Sequence, residues 1–375
     1  MPEPFKNVFN LELVRLMALH FSRNFPEFLS DGFISHVEKE FDELEFKQRS
    51  LRISEAMAAY LPDDFEAAAR VIEQSLGDKI QGDWTLATSN ERGISGWAIL
   101  PMAQYVANEG QGQFERAMEL LKEMTKRNTS EFAIRHFLDA EPERTFDVMK
   151  TWANDDNLNV RRLASEGCRP RLPWGLRLKK YVEDPDPVIG LLEVLKDDPS
   201  EYVRRSVANN LNDISKDHPD TVCNIAKSWL KNASPERVAL IRHACRTLIK
   251  AGHKPTLLAL GYAEVALSSV TLSVSSPTLV FGSHIELVAE LSSSSDVSQP
   301  LMIDYIVHHQ KANGSTSPKV FKWKTMELAA HSDIRVKKKH TIKPITTRTY
   351  YPGTHTVELQ VNGNVVAQTE FELTM

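Results

Sequence analysis

Apolar positions over the first two thirds of the chain recur with the period of an α-helix. In FERAMELLKEMTK, Phe114, Ala117, Met118, Leu121 and Met124 fall at i, i+3, i+4, i+7 and i+10, which places them on one stripe. Near residue 263 the period changes. Beyond it the chain is rich in Ser, Thr and Val and alternates polar with apolar, the pattern of strands with one buried face. VTLSVSS, HIELVAELS, LMIDYIVHH, KVFKWKTMEL and THTVELQV each read as strands. Asn362-Gly363, between VELQV and NVVAQTEFEL, reads as a hairpin turn, because both residues tolerate positive φ. The expected organisation is an all-α domain over residues 1–262 and an all-β domain over 263–375. So many short strands ending in a hairpin predict an immunoglobulin-like sandwich, one without a disulfide because it contains no cysteine.

The helical part repeats itself. A β-branched residue, an arginine and a basic residue recur as Ile134-Arg135-His136, Val160-Arg161-Arg162, Val203-Arg204-Arg205 and Ile241-Arg242-His243, spaced by 26, 43 and 38 residues. Asp155-Asp156 and Asp197-Asp198 stand before the second and third, and a more apolar segment lies upstream of each of the last three (RTFDVMKTWA, PVIGLLEVLK, TVCNIAKSWL). Each motif is expected to open a helix. Irregular helix pairs of this length predict a HEAT-like solenoid whose second helices line a concave surface.

The net charge of −5 is unevenly placed. Residues 1–160 carry a net −11, residues 161–250 a net +5, and 263–375 are neutral. Seven basic residues and one acidic residue crowd into 161–180. A local basic surface serves phosphate contacts whatever the total charge, although such clusters are also ordinary solvated faces. No stretch approaches the ~18 uncharged apolar residues of a membrane span, and MPEPFKNVFNLELVRL does not read as a secretion signal. Three widely spaced cysteines, Cys168, Cys223 and Cys245, suggest neither a disulfide framework nor a zinc site. A cytoplasmic monomer is the expectation.

The candidate chemistry lies in VRRLASEGCRPRLPWG. Arg162, Glu166 and Arg169, at i, i+4 and i+7, share a helix face, so one carboxylate stands between two guanidinium groups. Gly167 permits close approach, Pro170 and Pro173 end the helix, and Trp174 follows in a stiff loop. Glu131 precedes Arg135 by four on the equivalent stripe, Arg205 and Asn209 stand where Arg162 and Glu166 stand, and Asp213 lies one turn further. Carboxylates on the floor of an arginine-flanked groove repel phosphate and suit something positively charged. The alternative is a surface Arg–Glu–Arg ladder with Trp174 in the core.

NVRRLASEGCRPRLPWG, with TSEFAIRHF upstream, EYVRRSVANNLND downstream and the opening FKNVFNLELVRLMA, resembles the AlkC branch of the AlkC/AlkD DNA alkylation repair glycosylases. The likeness extends over the whole helical region, and the sandwich resembles the immunoglobulin-like domain that some members carry. The resemblance implies active-site carboxylates at Glu131 and Glu166, with Asp213 a third placed by the NNLND run. It implies Trp174 lining the lesion pocket and Arg162 and Arg169 contacting the DNA backbone. Arg135, Arg161 and Arg205 are further expected DNA contacts. The implied activity is hydrolysis of N3-methyladenine, and of other small cationic bases such as N3-methylcytosine, from duplex DNA that is kinked without full extrusion of the nucleotide. No cofactor or metal is implied.

The residue chemistry is compatible with this. A cationic base is already a good leaving group, and carboxylates stabilise the oxocarbenium-like sugar and can orient water, for which Glu166 is favoured here. The competing reading is a non-catalytic HEAT scaffold binding DNA or protein, to which the acidic N-terminal half lends support, and an inactive relative also stays open. Lys337-Lys338-Lys339-His340 reads as a basic loop or a second DNA contact. His308-His309 and His331 do not read as metal ligands, since adjacent strand residues face opposite ways. The glycines from Gly93 to Gly112 form no phosphate-binding loop, and Trp84 and Trp97 read as core.

Overall fold

The structure is a computed structural model that describes residues 4–80, 82 and 87–375; Trp84 lies outside the described residues. Sixteen α-helices precede eight strands among them. Close packing divides the chain into two units, residues 1–218 with 233–244, and residues 219–232 with 245–375.

In the first unit the Phe114–Thr125 helix buries Phe114, Ala117, Met118, Leu121 and Met124, the stripe its sequence predicts. The Leu158–Gly167, Glu201–Ile214 and Pro235–Ala244 helices pack side by side, and Pro142–Trp152 and Asp186–Leu195 form the layer behind them. This is the expected HEAT-like pairing. Val160 and Val203, which begin the recurring motif, are fully buried between layers. The fourth motif departs from expectation: Ile241-Arg242-His243 ends its helix instead of opening it.

The first arginine of the motif has a structural task. Arg161 spans to Asp198 of the next repeat, with Nε–Oδ2 2.6 Å and Nη2–Oδ1 3.1 Å, and donates to the carbonyls of Asp155 and Asp156. Arg204 repeats the local half of this pattern, donating to the carbonyls of Asp198 and Pro199 at the opening of its own helix. The acidic openings thus receive the motif arginine of their own repeat and, at Asp198, that of the preceding one as well, which explains why the two recur together.

The second unit holds the sandwich and the Pro219–Trp229, Arg246–Lys250 and Lys254–Ala259 helices. The strands are β1 (Leu267–Val274), β2 (Thr278–Val280), β3 (His284–Ser293), β4 (Gln299–Gln310), β5 (Thr316–Leu328), β6 (Asp333–Thr341), β7 (Gly353–Val361) and β8 (Asn364–Thr374). They form sheets of order β1-β3-β6 and β2-β8-β7-β4-β5, antiparallel except for β2 against β8. Inward residues such as Leu287, Leu291, Ile303, Val307, Val357 and Leu359 fill the space between. Asn362 and Gly363 take φ of 46° and 81° in the predicted hairpin turn.

That turn is also a joint. Asn362 Nδ2 donates to the carbonyls of Ala263 and Pro300, its Oδ1 accepts from Met302 N, and a Cβ on Gly363 would lie 2.5 Å from Leu257. The last helical turns are therefore bound into the sandwich, and the packing division lies upstream of the compositional change. The basic run is not a loop: Lys337, Lys338 and Lys339 lie on edge strand β6, where lysines discourage further strand pairing.

Candidate active site

Two glutamates meet at one guanidinium. Glu131 does not ride on a helix as its spacing suggested; it sits in the turn before Ile134–Ala140. Thr129 holds that turn, accepting from Glu131 N at 3.2 Å and donating to Glu131 Oε2 at 3.0 Å. Arg162, from the Leu158–Gly167 helix, donates to the same carboxylate oxygen and to Thr129 Oγ1. Its Nη2 lies 3.4 Å from Glu166 Oε1. Glu166 Oε1 also receives Arg169 Nη1 at 2.6 Å, and Arg169 Nε continues to Asp213 Oδ2 at 2.8 Å. Lys216 Nζ, 3.0 Å from Asp213 Oδ1, completes the row. Glu131, Arg162, Glu166, Arg169, Asp213 and Lys216 thus alternate in sign across three consecutive repeats.

The electrostatic consequence is clearest at Glu166, an anion held in a dry place. Burial works to raise the Glu166 pKa, but Arg162, Arg169 and a hydrogen bond from Ser206 outweigh it and hold the group below its ordinary value. Burial likewise opposes the charge of Arg162 and Arg169, and their carboxylate partners more than restore it.

The row borders a cleft of about 320 Å³. Its lining includes Glu131, Arg162, Glu166 and Arg169 together with the aromatic rings of Phe46, Trp97 and Trp174. Phe46 lies 5.6 Å from Trp174 and 5.7 Å from Trp97, centroid to centroid, and Phe5 closes the group at 5.2 Å from Trp97. Trp97, read from sequence as core, is half-buried in this lining. Trp174 is 61% exposed and has φ of 66°, a left-handed conformation that is uncommon for a bulky residue. Lys47 donates to its carbonyl oxygen, and the loop beneath is fixed from inside by Arg135.

Arg135 requires a correction. It is fully buried, donating Nε to the Leu176 carbonyl at 2.6 Å and Nη1 to those of Gly167 and Arg169, each at 2.8 Å. Gly175 eases this approach, since a Cβ there would stand 3.1 Å from Arg135 Nε and the guanidinium would have to shift by a few tenths of an ångström. A residue so enclosed is unavailable to phosphate, and burial pushes its pKa down to about 10. Arg161 is corrected for the same reason, its donors being used on Asp198 and two carbonyls. Arg162 and Arg169, expected at phosphates, are the cement between carboxylates. Arg205 differs: it is exposed and lines open grooves with Glu201, Arg204 and His243. Asn209, the counterpart of Glu166, hydrogen-bonds His243 at 3.0 Å.

The structure therefore brings the three predicted carboxylates into one row with Arg162 and Arg169, and Trp174 into the same cleft. Thr129, Ser206, Lys216, Phe46 and Trp97 join them without having been singled out: the first two lie in the recognised runs but carry no charge to mark them, and Phe46 and Trp97 lie far from the motif in sequence. Among the described residues no helix is long and apolar enough to cross a membrane, and no three His, Cys, Asp or Glu side chains are arranged to hold a metal ion.

Both parts of the chain resemble known proteins. Residues 85–248 match the family model of the DNA alkylation repair enzymes, and residues 268–375 match that of the C-terminal Ig-like domain of uncharacterised protein YhaZ. YhaZ of Bacillus subtilis (strain 168) is 33% identical over 370 residues, covering 98% of this chain and 99% of that protein. The structure of Pseudomonas fluorescens alkylpurine DNA glycosylase AlkC, bound to DNA containing an abasic site analog, is 37% identical with a TM-score of 0.89, each chain covered in full. With identity and fold shared from end to end, this chain belongs to the AlkC branch of the DNA alkylation repair enzymes.

Proposed function

We propose that the protein is a monofunctional DNA glycosylase that hydrolyses the N-glycosidic bond of small cationic alkylated bases in duplex DNA, N3-methyladenine first and N3-methylcytosine as a second substrate. On this reading residues 1–262 act as the glycosylase domain and 263–375 as an appended immunoglobulin-like domain. The observation that carries it is the meeting of Glu131 and Glu166 on Arg162 beside an aromatic cleft. Aromatic faces and carboxylates both favour a cation.

Since a methylated, positively charged base departs without a strong general acid, the protein's task is to stabilise positive charge developing on the sugar and to supply water. Glu166 suits the first role: both its oxygens are engaged by donors, so it is a fixed anion of low basicity. Glu131 suits the second. Its hydrogen bonds fall on Oε2, and it is more exposed than Glu166, at 9% against 4%, leaving Oε1 to orient a water. This revises the preference for Glu166 drawn from sequence. Asp213 acts through Arg169. Trp174, projecting at the rim, packs against a lesion that stays largely within the duplex, and Arg205 contacts the backbone.

The test is release of free methylated base from alkylated duplex DNA. Glu166→Gln and Glu131→Gln are each expected to lower single-turnover release by at least about 100-fold, on the scale of a removed electrostatic stabiliser, with DNA affinity changed little. Full activity in either variant overturns that residue's assignment, and no release by the wild type from any alkylated duplex overturns the function.

A further inference from the structure

Glu166 has its two oxygens divided between two kinds of partner. Oε1 faces the guanidiniums of Arg169 and Arg162, whereas Oε2 faces a neutral hydroxyl, Ser206 Oγ, at 2.6 Å. Ser206 is buried on the Glu201–Ile214 helix, one repeat along, and its Oγ is 3.0 Å from Ser165 Oγ. An ionised carboxylate can only accept, so the single Ser206 proton goes to Glu166, and Ser206 in turn accepts from the Ser165 hydroxyl. One helical turn further, Asn210 Nδ2 donates to the Ser165 carbonyl at 2.8 Å. The second helix of one repeat thus grips the end of its neighbour at two points on one face, and one of those points is the active-site carboxylate.

A buried serine in a helix commonly returns its hydroxyl to the carbonyl four residues back. Here the hydroxyl spans to the neighbouring helix and makes a short, charge-assisted bond. We infer that Ser206 is a positioning residue for glycosidic cleavage, its hydroxyl fixing the carboxylate plane of Glu166 and keeping that group an anion. The inference rests on the glycosylase reading for its catalytic consequence, but the hold on Glu166 can be measured without catalysis. The other ionisable groups around Glu166 are Arg162 on its own helix, Cys168 and Arg169 just beyond it, Arg135 and Glu131 at the Ile134–Ala140 helix, and Tyr202 and Asp213 on the Ser206 helix. Ser206→Ala leaves all of them in place.

The experiment has two arms. In the first, chain labelled with carbon-13 at glutamate Cδ is titrated, the Glu166 signal being assigned by its loss in Glu166→Gln. Ser206→Ala should raise the midpoint by about one pH unit, the size of one charge-assisted hydrogen bond, and Ser206→Thr, which keeps the hydroxyl, should restore it. In the second, single-turnover release of methylated base is followed against pH. The acid limb of the Ser206→Ala profile should move up with the titration, the rate at neutral pH should fall about 10-fold, and the dissociation constant for DNA should stay within about twofold. A Glu166 midpoint identical in wild type and Ser206→Ala overturns the inference, and so does a uniform fall in rate with an unmoved acid limb. If wild type released no base, the glycosylase reading would fail while the titration still decided whether Ser206 holds Glu166. Ala at 206 removes one atom from a packed helix, and Ser165→Ala serves as the folding control, since it perturbs the same contact without removing the donor to Glu166.

Discussion

Replacing Arg135 by methionine separates a structural arginine from a DNA-binding one. The guanidinium makes three hydrogen bonds of 2.6–2.8 Å to the carbonyls of Gly167, Arg169 and Leu176, and no carboxylate among the described residues touches it. Methionine leaves those carbonyls without a donor in the interior, at about 1–3 kcal/mol each. Against that, a buried charge is removed whose discomfort shows in a pKa pushed down to about 10, together with an Nη2 that has no hydrogen-bond partner among the described residues. Opening a buried charged network costs about 3–5 kcal/mol, and the relief places this case at the lower end, about 3 kcal/mol. For a unit of this size each kcal/mol lowers Tm by about 2–4 °C, so the helical circular dichroism signal should melt about 6–12 °C early. DNA affinity, measured below the melt across a salt series, should keep the wild-type slope, because no phosphate contact is removed. A variant that melts with the wild type while binding DNA more weakly and with a shallower salt dependence would refute the reasoning and restore Arg135 as a DNA contact.

Arg205→Ala should do the reverse: an unchanged Tm, weaker binding to damaged and undamaged duplexes alike, and a salt slope reduced by about one; an unaltered slope would remove Arg205 from the interface. In the sandwich, burial pushes the His340 pKa down from the ordinary 6.5 to about 4, with His355 and Lys319 adding to the effect. Because folding lowers this pKa, the unfolded chain takes up the proton first, so the stability is intact above about pH 6.5 and is lost as pH falls toward about 4. Urea midpoints at pH 7 and 4.5 should therefore show His340→Gln costly at neutral pH and much less so in acid; a difference independent of pH would contradict the shift.

The legible parts of this protein were those with a local cause. Helices and strands declare themselves because a buried face imposes its own period, and the turn at Asn362-Gly363 because positive φ restricts residue choice. Strand β6 was missed because its inward face reads Ile334, Val336, Lys338 and His340, so a lysine and a histidine interrupt the apolar alternation. Glu166 and its flanking arginines were visible because a helix brings i and i+4 together whatever surrounds it. Glu131 and Asp213 could be grouped with them only because the motif repeats and repeats stack in order.

Local sequence could not say which arginine does what. Arg135, Arg161, Arg162 and Arg205 occupy nearly equivalent motif positions, yet one braces a loop, one stitches repeats, one joins two carboxylates and one faces solvent. Each fate depends on what lies across the packing interface, at separations of 30 to 40 residues that follow no fixed period. The same holds for Phe46 and Trp97, which become the aromatic wall only when the N-terminal helices fold against the later repeats. What the sequence determined by itself was the set of amphipathic elements and the kinds of charge available. Tertiary packing alone decided which charges were buried in pairs and which were left facing solvent, because desolvation and ion pairing are set by neighbours in space.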